Sequence, residues 1–245
     1  MDMQFFWESL VTLIPGIPLT LQLAFLSTFL GAFIALGLAM MRLSGIRPLD
    51  WFARGYLFVF RGSPLLVQLF LIYYGLSQFP AVRHSFAWTF LRDPYWCAII
   101  ALTLNTAAYA SEVIRGGLLS VPHGQVEAAR ACGMSGFKLF RRIVLPLAIR
   151  QALPAYGTEL ILMVKATSLA SIITIMEITG LAAKLVSETY RVIEVFVVAG
   201  AIYLAINFIL TRIIMAFEYK LTPHLREPRI TKVLALENES AGEIS

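Results

Sequence analysis

Five apolar stretches, each long enough to cross a lipid bilayer, constrain this chain more than any other feature. They run over about Ile17–Met41, Tyr56–Ser77, Tyr95–Leu118, Leu147–Ile172 and Val192–Phe217. A membrane-crossing helix needs about 20 mostly apolar residues. Only 14% of the 245 residues are charged and 58% are hydrophobic, whereas a soluble domain carries about 25% charge. The expectation is an all-α polytopic membrane protein with five transmembrane helices in one domain, residues 17–217, preceded by residues 1–16 and followed by a tail, 218–245. The net charge of +5 is not a nucleic-acid signal, because where the charges lie matters more than their sum.

The loops place them. Arg42, Arg47 and Arg54 lie in one loop, Arg130, Lys138, Arg141 and Arg142 in another, and Lys220, Arg226, Arg229 and Lys232 follow the last stretch. The alternate loops hold only Arg83 and Arg92, then Lys184 and Arg191 offset by Glu177 and Glu188. By the bias of basic residues toward the cytoplasm, residues 78–94 are outside, residues 119–146 and the C-terminus are inside, and the N-terminus is outside. The first residues, MDMQFFWESL, lack the basic start of a secretory signal, so no cleavage is expected. Phe5–Ile14 reads as an interfacial stretch ahead of a Pro15-Gly16-Ile17-Pro18 break. Cys97 and Cys132 fall on opposite sides of the membrane, which excludes a disulfide between them. The acidic end, ENESAGEIS, reads as disordered. No internal repeat is visible, which argues against a self-contained carrier built from inverted halves.

One cytoplasmic segment is unlike the rest: EAARACGMSGFKLFRRIVLP, Glu127–Pro146, with five charged residues, four of them basic. Its punctuation predicts two short helices. Pro122 suits a first turn, Gln125–Cys132 a helix, Gly133 a left-handed end, Ser135 the next cap and Pro146 a bend into the fourth span. Ala128 and Ala129 would let a partner approach closely. On physical grounds a plain interfacial loop anchored by basic residues is an equal reading.

The segment resembles the EAA loop of ABC-importer permease subunits: Glu127-Ala128-Ala129, then Gly133, then Ile143, Leu145 and Pro146 at the signature spacing. Phe60-Arg61-Gly62-Ser63-Pro64-Leu65, Asn105-Thr106-Ala107-Ala108-Tyr109, Leu153-Pro154-Ala155-Tyr156 and Lys165-Ala166-Thr167-Ser168 are similar to the polar amino-acid branch, whose members import histidine, arginine, ornithine or opines. The resemblance implies a type I importer permease in a bacterial inner membrane. It also implies a coupling loop that docks into an ABC ATPase dimer, with Glu127 as polar anchor and Gly133 as turn. Further implied partners are a second permease subunit, identical or homologous, and a periplasmic or lipid-anchored amino acid binding protein. ATP and Mg belong to the ATPase, and this chain binds no cofactor. The competing readings are a non-translocating scaffold subunit and a stand-alone channel or carrier; a membrane enzyme comes third.

Ionisable residues at membrane depth are costly and are paired or functional. Asn105 and Glu159 fall near the midplane of the third and fourth spans. Glu112 and Arg115, three apart, read as a local ion pair. Glu159 and Lys165, six apart, face different ways. Glu159 reads either as the partner of a polar residue such as Asn105 or as a counter-charge for a cationic substrate. Arg61-Gly62-Ser63-Pro64 is a break about a turn and a half into the second span. It is either a packed kink or, with Ser63, part of the substrate path. Thr167, Ser168 and Ser171 read either as small interface residues or as substrate contacts. Gln68 and Asn207 are weaker candidates. No GxxxxGK[ST] loop for a nucleotide is present, and His84, His123 and His224 are too dispersed for a metal site.

Overall fold

The computed structural model describes residues 3–221, which are helical with no strand among them. The expected disordered end lies outside the described residues. The chain opens with α1 (Met3–Leu13), a 3₁₀ turn over Ile14–Gly16 and α2 (Ile17–Leu43). The expected break at Pro15–Pro18 is this single turn, and the helical run Met3–Leu43 continues for 41 residues. Both prolines sit in first turns, where a missing N–H costs no intrahelical bond. Rather than standing apart, α1 packs against the later helices α11 (Ile178–Thr189) and α12 (Val192–Leu221).

The second expected span is not one helix. α3 (Arg47–Gly62) meets the run Leu65–Gln78, which begins with α4 (Leu65–Phe70), at 102°. Ser63 is extended, φ −104° and ψ 143°, as a residue before proline is driven to be. Pro64 cannot donate to the ladder, so the turn falls where the Arg-Gly-Ser-Pro break places it. Beyond α4, a π-turn (Leu71–Gly75), a 3₁₀ turn (Leu76–Gln78) and two four-residue helices, α5 (Pro80–Arg83) and α6 (Trp88–Leu91), lead to α7 (Pro94–Leu119). Asp93 caps α7 by accepting from the Tyr95 N–H at 2.9 Å.

After α8 (His123–Ala131), α9 (Gly136–Leu139), a π-turn (Phe140–Val144), α10 (Leu145–Ala166) and a 3₁₀ stretch (Thr167–Ile173) form one continuous run of 38 residues. The helical run continues through Pro146, the residue expected to mark a bend into the fourth span. The π-turn widens the ladder just ahead of the ring, which relieves its clash with the preceding turn. Among the described residues, four helical runs are long and apolar enough to cross a membrane, and the bent pair that begins with α3 makes a fifth if taken as one span.

At the centre, α7 packs between α2 and α10. Small side chains allow this: Ala24, Ala35, Ala101, Ala107, Ala108 and Ala110 are all fully buried. A Cβ on Gly31 would lie 2.4 Å from Thr106 Cγ2, and one on Gly117 would lie 2.8 Å from the Ala148 carbonyl. Close backbone approach of this kind is how membrane helices gain packing energy where lipid removes the hydrophobic drive. Outward faces stay apolar, with Phe29, Phe33, Phe58, Leu204 and Phe208 exposed.

Candidate functional site: a polar hollow and the α8 segment

The turn at Ser63–Pro64 leaves carbonyls at the end of α3 without helical partners. Gln68, buried on α4, supplies them: its Nε2 donates to the Phe60 carbonyl at 3.0 Å, to the Ser63 carbonyl at 3.1 Å and to the Ser63 hydroxyl at 2.9 Å. Ser63 in turn donates to the Val59 carbonyl at 2.7 Å. From α7, Asn105 donates to the Phe60 carbonyl at 3.2 Å and to Gln68 Oε1 at 3.1 Å. Asn105, Ser63 and Gln68 therefore form one network that fixes the break against α7. Sequence reasoning ranked Gln68 low; the signal was an amide just past a proline that frees carbonyls.

Beside this network, Asn105, Tyr109, Glu159, Leu162, Met163 and Ala166 line a hollow of about 240 Å³ between α7 and α10. Glu159 is half-buried, and its Oε1 accepts from the Thr106 hydroxyl at 3.1 Å. Asn105 and Glu159 share the hollow, but the partner of Glu159 is Thr106. Lys165 is exposed and does not line the hollow. Thr167 and Ser168 do not line it either. Thr167 is fully buried and donates to the Val164 carbonyl at 2.7 Å, and Ser168 donates to the Lys165 carbonyl at 2.7 Å.

Nearer the ends of α2 and α7, the Glu112–Arg115 pair is present at 2.7 Å and belongs to a larger cluster. Arg42 reaches both Glu112 and Asp50, and Arg54 reaches Asp50 at 2.8 Å. α2, α3 and α7 are tied together by these charges. A second buried carboxylate, Glu177, was not singled out as a site residue. It accepts from Gly180 N at 3.0 Å at the start of α11, from Thr20 at 3.3 Å on α2 and from Tyr203 on α12. Among the described residues no cluster of His, Cys, Asp and Glu is arranged to hold a metal.

The segment expected to dock on the ATPase starts with α8. Gly133 has φ +78°, the left-handed value its position called for. Its N–H donates to the Arg130 carbonyl at 2.9 Å, and the Met134 N–H reaches back to the Ala129 carbonyl at 3.0 Å. This is the paired bonding of a Schellman end. Ser135 occupies the next cap position in extended conformation, without a side-chain cap bond. Glu127 and Ala128 are exposed while Ala129 is buried. Ala128, Ala129, Ile143 and Pro146 line an open hollow of about 430 Å³ between α8 and the start of α10. Leu145 points the other way, toward Leu36 and Met40 of α2. Cys97 is buried and Cys132 exposed, both free.

Known proteins resemble this chain over nearly its whole length. The octopine transport system permease protein OccM of Rhizobium radiobacter is 64% identical over 94% of each chain. The nopaline transport system permease protein NocM of Agrobacterium fabrum is 55% identical over 92% of this chain and 94% of its own. The histidine/lysine/arginine/ornithine transport system permease protein HisM of Escherichia coli is 39% identical over 86% of this chain and 89% of its own. Among solved structures, a chain of an amino acid ABC transporter crystallised with histidines superposes with a TM-score of 0.79 at 34% identity, covering 90% of this chain and 99% of that one. A family model described as "Binding-protein-dependent transport system inner membrane component" matches residues 27–223. The chain belongs to this family of inner-membrane permease subunits of binding-protein-dependent transport systems.

Proposed function

We propose that this chain forms half of the path by which an ATP-driven importer carries a basic amino acid or an opine into the cell. Its likeness to octopine and nopaline permeases along almost the full chain carries the substrate class. The hollow holding Asn105 and Glu159 supports it, because a half-buried carboxylate at membrane depth suits a cationic group better than a neutral one. A second permease copy, identical or homologous, completes the path. The N-terminus faces outward and the C-terminus inward.

The exposed face of α8, Glu127 and Ala128, docks into a cleft of one subunit of an ATPase dimer, with Gly133 setting the helix's aim and Ile143, Leu145 and Pro146 fixing its base. ATP and its Mg sit in that partner. Closure of the ATPases draws the two α8 helices together and turns the path outward, and a periplasmic or lipid-anchored binding protein releases its cargo into it.

The test is uptake of radiolabelled arginine and octopine into proteoliposomes. These hold this chain with its second permease, ATPase and binding protein, with and without internal ATP. Uptake that needs ATP and all four components is expected. Uptake by this chain alone would make it a channel or carrier. Full uptake by the other components without this chain would make it a scaffold.

A further inference from the structure

Tyr109 lines two hollows at once. On one side is the space with Asn105 and Glu159, and on the other a wider hollow of about 490 Å³ into which Arg42, Arg54 and Arg61 project. The three arginines are not equivalent. Arg42 is held by Asp50 and Glu112, and Arg54 by Asp50. Arg61 has no ion pair within 4.0 Å among the described residues. Its guanidinium lies over the Tyr109 ring, 5.1 Å from the centroid, and is near enough to Glu159 to interact with it electrostatically. It is exposed to the hollow, at the end of α3 fixed by the Gln68 network.

Arg61 feels the charges of Glu159 and Glu112 but makes no direct ion pair with either, so its guanidinium is left for water or a ligand to meet. Its planar fork matches a carboxylate in two parallel hydrogen bonds. Stacking on Tyr109 leaves those donors at the guanidinium edge free and holds the group in one orientation.

We propose that Arg61 is the anion-recognising residue of the substrate path. It takes a substrate carboxylate on one side of Tyr109 while Glu159 takes the cationic group on the other. The path would thus select molecules that carry a positive group and a carboxylate at separate ends. This rests on the reading that the Asn105–Glu159 hollow belongs to the path. Arg42 and Arg54 are held by Asp50 and Glu112 and so do not compete for the ligand.

Three probes separate the two ends: agmatine, which has the guanidinium of arginine and no carboxylate; arginine, with one carboxylate; and octopine, with two. Binding is measured by calorimetry on the purified complex of both permeases and the ATPase, without binding protein. Arginine and octopine should bind the native complex at least tenfold more tightly than agmatine. Arg61→Gln should weaken arginine and octopine about ten- to a hundredfold, the range of a charge-assisted hydrogen bond, and agmatine by less than twofold. Arg61→Lys keeps the charge but not the fork, and should retain only part of the preference. Glu159→Gln should weaken all three. An Arg61→Gln complex that loses agmatine as strongly as arginine, or that loses neither, overturns the proposal while leaving the Glu159 reading intact. Should that variant not assemble, equal affinity of the native complex for agmatine and arginine overturns it as well. No binding of any probe to the native complex would instead remove the reading of the hollow on which the proposal rests.

Discussion

The Gln68 amide donates to both the hydroxyl and the carbonyl of Ser63, at 2.9 and 3.1 Å, so the helix that follows Pro64 caps the helix that precedes it. A turn of 102° at this depth would otherwise expose carbonyls to an apolar surround, where each unpaired group costs about 1–3 kcal/mol. Gln68→Leu keeps the volume and removes the donors. It should lower the unfolding free energy of the purified complex by about 2–3 kcal/mol, seen as a drop in melting temperature in detergent. An unchanged melting temperature would show that the turn is held by Asn105 alone.

Gly133 is the corresponding point in the segment proposed to dock on the ATPase. With φ at +78° and open space around its Cα, a substitution there meets backbone strain rather than a clash. Gly133→Val should leave the helices inserted but misaim α8, abolishing both ATPase co-purification and uptake, because a β-branched residue resists the left-handed region. Gly133→Asn, which tolerates it, should retain much of both. Normal ATPase retention and uptake in the valine variant would separate this loop from coupling.

The pair Arg42–Glu112 joins α2 to α7, with side chains only 17% and 24% exposed. A double-mutant cycle with Arg42→Met and Glu112→Gln, read from unfolding in mixed micelles, should give a coupling of about 1–2 kcal/mol. A value near zero, as for many surface pairs, would mean the cluster is too wet to hold α2, α3 and α7 together.

Orientation is tested with single cysteines at Ser85 and Ser120, in a chain lacking Cys97 and Cys132. In intact cells an impermeant thiol reagent should label position 85 and not position 120. The reverse pattern would put α8 on the wrong side of the membrane for an ATPase.

Much of this was legible in the sequence, and the exceptions share a cause. Apolar length located the long helices, and the Arg61-Gly62-Ser63-Pro64 stretch located the break, because both are local. The angle at the break was not legible. Hydropathy dips over Arg61–Pro64 but carries no direction; the angle is set by the pre-proline backbone and by packing against α7. Asn105 and Glu159 line one hollow, yet the donor to Glu159 is Thr106. Neighbours on a helix point about 100° apart, and only the rotation of α7 against α10 chooses between them. Glu177 read as a loop charge because its partners Thr20 and Tyr203 lie on helices far away in sequence. Gly133 was foreseen because its conformation depends on its own backbone.

Glu159 carries the central claim, that the hollow between α7 and α10 receives the cationic group of the cargo. The most direct measurement is occupancy of the purified permease–ATPase complex by radiolabelled arginine, without binding protein, in native and Glu159→Gln forms. The carboxamide keeps the shape and the hydrogen bond from Thr106 while removing the charge. Affinity should fall about ten- to a hundredfold, with assembly and melting temperature near native. Unchanged arginine occupancy in the Glu159→Gln complex would contradict the account.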